Sequence, residues 1–323
     1  MKQIMNRNHT LDVIRGFLSW VVFAVHVVWF SGYRGGTQEA IGSYAVDGFI
    51  ILSGFVITQL LVIKKEAYGV FIFRRFMRLF PAFAVCIAVS LLVRPLTLGR
   101  VSTELVREAS ETQYFWWHLG AHAGLIHGLV PTAWLPVSQF AFLPPGWSIS
   151  LEFQLYLVAP FVLWYGARFG VKGFAFLAVA SAIMLLPQFA SRLNHIWSGA
   201  GAFLPQRFVF FLIGMKAFDI FGRGLGSSVQ YWPGFVRLGE VSYSTYLVHW
   251  PVLASLNAVL PREWPPLQQV GILFLVGAPI TLLFSFLLFQ FVERPGIALG
   301  RRLIKESSKM AIERPQVVVK TPC

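Results

Sequence analysis

The sequence predicts an all-α polytopic membrane protein, a bundle of about eight transmembrane helices, or roughly nine to ten if a re-entrant aromatic segment is counted. Three observations lead there. Hydrophobic residues make up 56% of the chain and charged residues 13%, with 31 Phe and a mean hydropathy of +0.64, whereas a soluble domain carries about 25% charged residues. Apolar stretches of about 20 residues, long enough to cross a hydrocarbon core, recur along the chain. The Lys and Arg between them fall mostly on one side of the resulting topology, as cytoplasmic loops require.

The predicted spans lie at 11–31, 41–63, 80–97, 147–166, 171–188, 201–221, 239–260 and 268–291. The first contains Arg15 and lacks a small-residue cleavage site, so it reads as a retained span and not a signal peptide. The segment YFWWHLGAHAGLIHGLV, residues 114–130, is decided by charge. With it outside and the N-terminus inside, 18 Lys and Arg are cytoplasmic and six are external; counted as a crossing, it leaves nine inside and 15 outside. Residues 98–146 are therefore expected on the outer side, with Trp116 and Trp117 at headgroup depth. Residues 1–300 are expected to form the membrane domain, and 301–323 a basic, disordered cytoplasmic tail lying against anionic lipid. The net charge of +13 is then mostly anchoring charge. No fold motif or aromatic platform accompanies it, which argues against nucleic-acid binding. Cys86 and Cys323 give no disulfide framework.

Ionisable residues inside the spans are the candidates for function, because each is costly in hydrocarbon and normally faces protein or a wet cavity. In LDVIRGFLSWVVFAVHVVWF, Arg15 and His26 are eleven residues apart; they fall within about 20° of each other on one helix face, about 16 Å apart along the axis. His26, Asp47, Glu152 and Arg207 come out at similar depth, about 7 to 9 Å below the outer surface, which suggests one polar cavity opening outward. Arg74, Arg75 and Arg78 precede the third span in FRRFMRLFP, where guanidinium groups can grip a polyanion.

The ordered segments LDVIRGFLSWVVFAVH, VDGFIILSGFVITQLL, FRRFMRLFPAF, PPGWSISLEFQLYLVAP, LGEVSYSTYLVHWPV and FVERP closely resemble the acyltransferase-3 family of integral membrane acyltransferases, which includes O-antigen acetylases and nodulation-factor acetyltransferases. The resemblance runs from about residue 10 to 300. It implies a bacterial inner-membrane O-acyltransferase with both termini cytoplasmic, taking an acyl group, expected to be acetyl, from acyl-CoA as donor. The acceptor would be a hydroxyl of an envelope or exported carbohydrate or glycolipid, with no permanently bound cofactor. It also implies functional roles for Arg15 and His26, for Arg74, Arg75 and Arg78, and for Glu152 and Gln154. Against the family's usual ten spans, a helical pair is missing between 222 and 238. The rival reading is a proton-coupled transporter or flippase without acyl-transfer chemistry.

His26 is the expected general base, with Glu152 or Asp47 expected to orient its imidazole and Arg15 to hold the donor. Gln154 lies about 200° around the helix from Glu152, so the two are not expected to face one cavity. His249, two residues before Pro251, is read first as satisfying a backbone group that the proline frees. Ser148 and Ser150 are expected to bond their own helix rather than carry an acyl group. His118, His122 and His127 have no carboxylate nearby, so no metal site is expected. The charge count makes a testable forecast: reporter fusions after residues 130 and 195 should read external and a fusion at 323 cytoplasmic. A cytoplasmic signal at 130 would refute this topology.

Overall fold

The computed structural model describes residues 8–33, 36–64, 66–97, 112–197, 200–222 and 231–313, and contains no strand among them. In chain order the helices are α1 (His9–Phe30), α2 (Gly36–Lys64), α3 (Tyr68–Thr97), α4 (Thr112–Ala123), α5 (Trp147–Ile183), α6 (Pro187–Ile196), α7 (Leu204–Phe221), α8 (Pro233–Glu240), α9 (Ser242–Val259), α10 (Pro266–Leu288) and α11 (Arg294–Glu313). Helix occupies most of every predicted span. Among the described residues, five helical stretches are long and apolar enough to cross a membrane: His9–Phe30, Thr37–Ile63, Tyr68–Thr97, Pro144–Ile183 and Pro266–Glu306. The protein is an all-α membrane protein.

Local sequence explains where these helices start and bend. Asn8 caps α1, its side-chain oxygen accepting from the backbone N–H groups of Thr10 and Leu11 at 3.1 and 3.4 Å, two of the donors that a helix start leaves unpaired. The fourth and fifth predicted spans share α5 and are separated at Gly170, whose φ of 58° and ψ of −147° break the helix; a side chain would strain that backbone, and glycine does not. α7 and α9, at 18 residues each, are less apolar for a structural reason. α7 carries Arg207 and an exposed Lys216–Asp219 pair, and α9 buries Ser242, Ser244, Thr245, His249 and Asn257, polar groups that a bundle interior accommodates better than lipid.

The helix of the aromatic segment is short for a crossing. α4 has 12 residues, about 18 Å of helix against about 30 Å of hydrocarbon, and Trp116 and Trp117 are 73% and 74% exposed on its surface. At the other end helix reaches into the predicted tail. The chain beyond residue 300 continues as helix to Glu313, supported by an Arg302–Glu306 pair at 2.8 Å in the i, i+4 spacing that favours helix. The rest of the predicted tail, 314–323, lies outside the described residues, as do Lys2, Arg7, Arg34, Lys65, Arg100, Arg107 and Arg223 of the charge count.

Close crossings lock the bundle. A Cβ placed on Gly214 of α7 would lie 1.9 Å from the carbonyl oxygen of Ile51, and one on Gly54 of α2 would lie 2.2 Å from that of Phe211. α1 and α8 meet in the same way, with Gly239 against the backbone of Asp12 and Gly16 against Gly239. Such small-residue contacts are how membrane helices approach closely when lipid and protein are equally apolar. Gly214→Ala should therefore destabilise the detergent-solubilised protein by about 1 to 3 kcal/mol through overpacking, read as a lower thermal-unfolding midpoint. Gly271→Ala, where nothing lies within 4 Å, serves as the control and should leave the midpoint unchanged.

Candidate active site

Two cavities run through the bundle, and the chain order of their linings places them end to end. The inner one is lined by Arg15 of α1, Val46, Phe49, Ile50 and Ser53 of α2, Arg78 and Leu79 of α3, Ser148, Ile149, Glu152 and Leu155 of α5, and Ser242, Tyr243 and Tyr246 of α9. The outer one is lined by Val22, Val25, His26 and Trp29 of α1, Gln38, Glu39, Ser43 and Val46 of α2, Trp147 at the start of α5, and Tyr246 and Trp250 of α9, with Val137, Phe140, Pro144 and Pro145 from the connection before α5. Along α1 and α9 the inner residues come first; along α2 and α5 the outer ones do. Four helices thus agree on one axis, and Val46 and Tyr246 belong to both linings.

The inner cavity is cationic with a carboxylate countercharge. Arg15 and Arg78 line it with Glu152, and the two guanidinium groups are near enough to repel each other while Glu152 attracts both. The Tyr156 hydroxyl donates to Glu152. The three arginines before the third span do not act as one grip. Arg74 pairs with Glu66, and the Arg75 guanidinium lies 5.8 Å from the ring centres of Phe71 and Tyr156. Arg78 is the one that lines the cavity. Glu293, not singled out from sequence, lies near Arg78. It is buried in a π-helical turn, Phe289–Glu293, accepts from Ser244 Oγ at 2.7 Å and attracts Arg78. The FVERP segment, just past the last predicted span, was the available signal.

At the outer cavity His26 has a partner that sequence reasoning did not assign. Its Nδ1 lies 3.1 Å from His249 Nε2 and 2.9 Å from the Val22 carbonyl oxygen, while His249 Nδ1 lies 3.2 Å from the Thr245 carbonyl oxygen. A carbonyl only accepts, so His249 Nδ1 carries the hydrogen and its Nε2 accepts from His26 Nδ1–H. This network assigns the tautomer and leaves His26 Nε2 as the lone-pair nitrogen. Trp250 packs against the His26 ring at 5.3 Å, nearly perpendicular.

The expectation that Glu152 or Asp47 orients His26 is corrected. Glu152 belongs to the inner cavity, and Asp47 is buried against Arg207, which also donates to Ser43 Oγ at 2.7 Å. Depth counted from span ends put Glu152 level with His26 in one outward-opening cavity; the structure instead places it in the inner cavity, because a count along one helix does not fix which cavity its side chain enters. Gln154 faces away from Glu152, as its helical angle implies. Its Nε2 donates to the Ala202 carbonyl at 2.9 Å and its Oε1 accepts from the Leu204 N–H at 3.2 Å, joining α5 to the start of α7. Ser150 is fully engaged, donating to the Leu125 carbonyl at 2.9 Å and accepting from the Gly128 N–H at 3.0 Å; Ser148 donates to the Tyr246 hydroxyl at 2.8 Å. The His122 and His127 rings stack at 4.0 Å, 3° from parallel, and the Phe83 ring lies nearly parallel to both, 6.1 and 5.6 Å away. The in-plane lone pairs of the two imidazoles therefore lie in parallel planes, and the three rings pack as one cluster.

The acyltransferase-3 profile, described as an acyltransferase domain, matches residues 8–237. The chain belongs to this family. It is 25% identical to the acyltransferase MdmB of Streptomyces mycarofaciens, covering 91% of this chain and 92% of that one. A Staphylococcus aureus (strain COL) protein with a provisional O-acetyltransferase name is 22% identical over 88% of this chain and 56% of its own length. The O-acetyltransferase OatA of S. aureus (strain NCTC 8325) is 27% identical over 47% of this chain and 24% of its own. The chain thus spans nearly all of MdmB and about half of the strain COL protein. No solved structure matches it. The protein is a membrane acyltransferase, and His249, Trp250 and Glu293 all lie beyond the matched range.

The Asp47–Arg207 pair gives a clear test. Removing one partner of a buried ion pair strands the other at a cost of about 3 to 5 kcal/mol, whereas replacing both with apolar residues is often neutral. Arg207→Met should lower the thermal midpoint and the yield of folded protein, and Asp47→Leu/Arg207→Met should recover most of the loss. Failure of the double variant to recover would mean that Asp47 has a further obligation.

Proposed function

We propose that this enzyme transfers an acetyl group from cytoplasmic acetyl-CoA to a hydroxyl of an envelope or exported carbohydrate, in a bacterial inner membrane with both chain termini cytoplasmic. The observation that carries this reading is the pair of cavities in series, cationic at one end and aromatic with a free imidazole nitrogen at the other. Arg15 and Arg78 suit the phosphates of the donor, because guanidinium groups make short charge-assisted bonds to phosphate. Trp29, Trp147 and Trp250 suit the apolar faces of a sugar ring, with Gln38, Glu39 and Ser43 available to its hydroxyls. The O-acetyltransferase names of staphylococcal relatives support acetyl transfer to oxygen.

The chemistry follows from the tautomer. His26 Nε2 removes the acceptor proton as the hydroxyl oxygen attacks the thioester carbonyl. The resulting imidazolium is held at Nδ1–H by the Val22 carbonyl and His249 Nε2. Collapse of the tetrahedral intermediate breaks the C–S bond, and the proton on His26 passes to the leaving thiolate. The products are the acetyl ester and free CoA, with no net proton change and no covalent enzyme intermediate required.

Purified protein supplied with acetyl-labelled acetyl-CoA and a carbohydrate acceptor should yield covalently labelled product. A transporter moves substrate without transferring label. His26→Ala should lower turnover by about 10² to 10⁴, the range of a general base, and still bind donor. His249→Ala should lower kcat with little change in the KM for acetyl-CoA. Arg78→Ala should raise that KM, with only partial rescue by Lys, which lacks the planar fork. Near-normal turnover by a folded His26→Ala variant would sink the mechanism.

A further inference from the structure

We infer that Val46 and Tyr246 form a fixed neck between the two cavities, and that this neck limits the transferred group to a very short acyl chain. The inference rests on the donor and acceptor reading proposed above. These two residues are shared by both linings, and in α2 and α9 they stand at the point where inner lining residues give way to outer ones. The thioester sulfur, attached to a donor held at Arg15 and Arg78, approaches from the inner side. The hydroxyl, activated by His26, approaches from the outer side. Their meeting point is the neck, so the alkyl part of the acyl group must fit beside Val46 and Tyr246.

The neck has little freedom to widen. The Tyr246 hydroxyl donates to the Pro145 carbonyl at 2.9 Å and accepts from Ser148 Oγ at 2.8 Å, so its ring is held at the far end. Phe49 and His249 brace the ring faces and edges, at centroid distances of 5.9 and 5.8 Å. Val46 is 5% exposed and, being β-branched in a helix, is held close to one rotamer. An acetyl group brings one methyl to this point. Each further methylene must displace one of these side chains, and a single methylene in a fitted pocket changes specificity by about 10- to 200-fold.

The test is the ratio of kcat/KM for propionyl-CoA to that for acetyl-CoA, measured by covalent transfer to one carbohydrate acceptor. The wild-type ratio should be about 0.1 or lower. Val46→Ala should raise it by about tenfold or more, and Val46→Ile should lower it further. Acetyl-CoA binding to each variant, measured separately, checks that the inner cavity is intact. A wild-type enzyme that transfers propionyl and butyryl as readily as acetyl overturns the inference, as does a ratio that neither substitution moves. If Val46→Ala does not fold, the wild-type profile and Val46→Ile still decide. If the wild type transfers no acyl group from any acyl-CoA, it is the proposed function that fails, which is a distinguishable result.

Discussion

Two guanidinium groups, Arg15 and Arg78, line one cavity inside the bundle, and much of this architecture follows from meeting their charge there. A charge at mid-bilayer costs several kcal/mol unless it is paired or hydrated. Glu152, supported by the Tyr156 hydroxyl, and Glu293, held by Ser244, supply negative charge nearby from α5 and from the π-helical turn before α11. Those carboxylates, buried in turn, need the guanidinium groups. The result is a polar axis from which α1, α3, α5 and α9 cannot rotate away without exposing a charge to lipid.

Apolar packing alone would not bring these helices close enough. Lipid tails are as apolar as the helices, so association rests on shape and small residues. Gly54 against the Phe211 carbonyl and Gly214 against that of Ile51 draw α2 onto α7, and Gly16 against Gly239 draws α1 onto α8, the short helix that leads directly into α9. The second contact fixes the start of α9 against the first helix, and a few turns further His249 meets His26. A backbone contact at one end thus sets the register of a side-chain contact at the other. The Asp47–Arg207 pair adds a third tie, between α2 and α7, on the side of the outer cavity.

The family match ends at residue 237, yet α9 supplies a wall to both cavities and the π-helical turn supplies a countercharge to the inner one. The active-site region is therefore assembled from both sides of that limit. A π-turn interrupts a regular helix at some energetic expense and tends to appear where a side chain has to be aimed. Here it turns Glu293 inward from a segment whose neighbour Phe291 is 71% exposed.

The sequence by itself determined the class of fold, the position of nearly every long helix and the short list of ionisable residues from which the candidate site is drawn. Hydropathy and charge are one-dimensional signals, and span length and depth are one-dimensional quantities. It also put Glu152 and Gln154 on opposing faces, since helical periodicity fixes angles within one helix. Tertiary structure decided the partners: His249 for His26, Arg207 for Asp47, the gathering of Arg15, Arg78 and Glu152 in one cavity, and the sharing of Val46 and Tyr246 between two cavities. Periodicity says nothing about how one helix is rotated against another, and that rotation is set by glycine contacts and buried pairs between residues up to 223 positions apart in the chain.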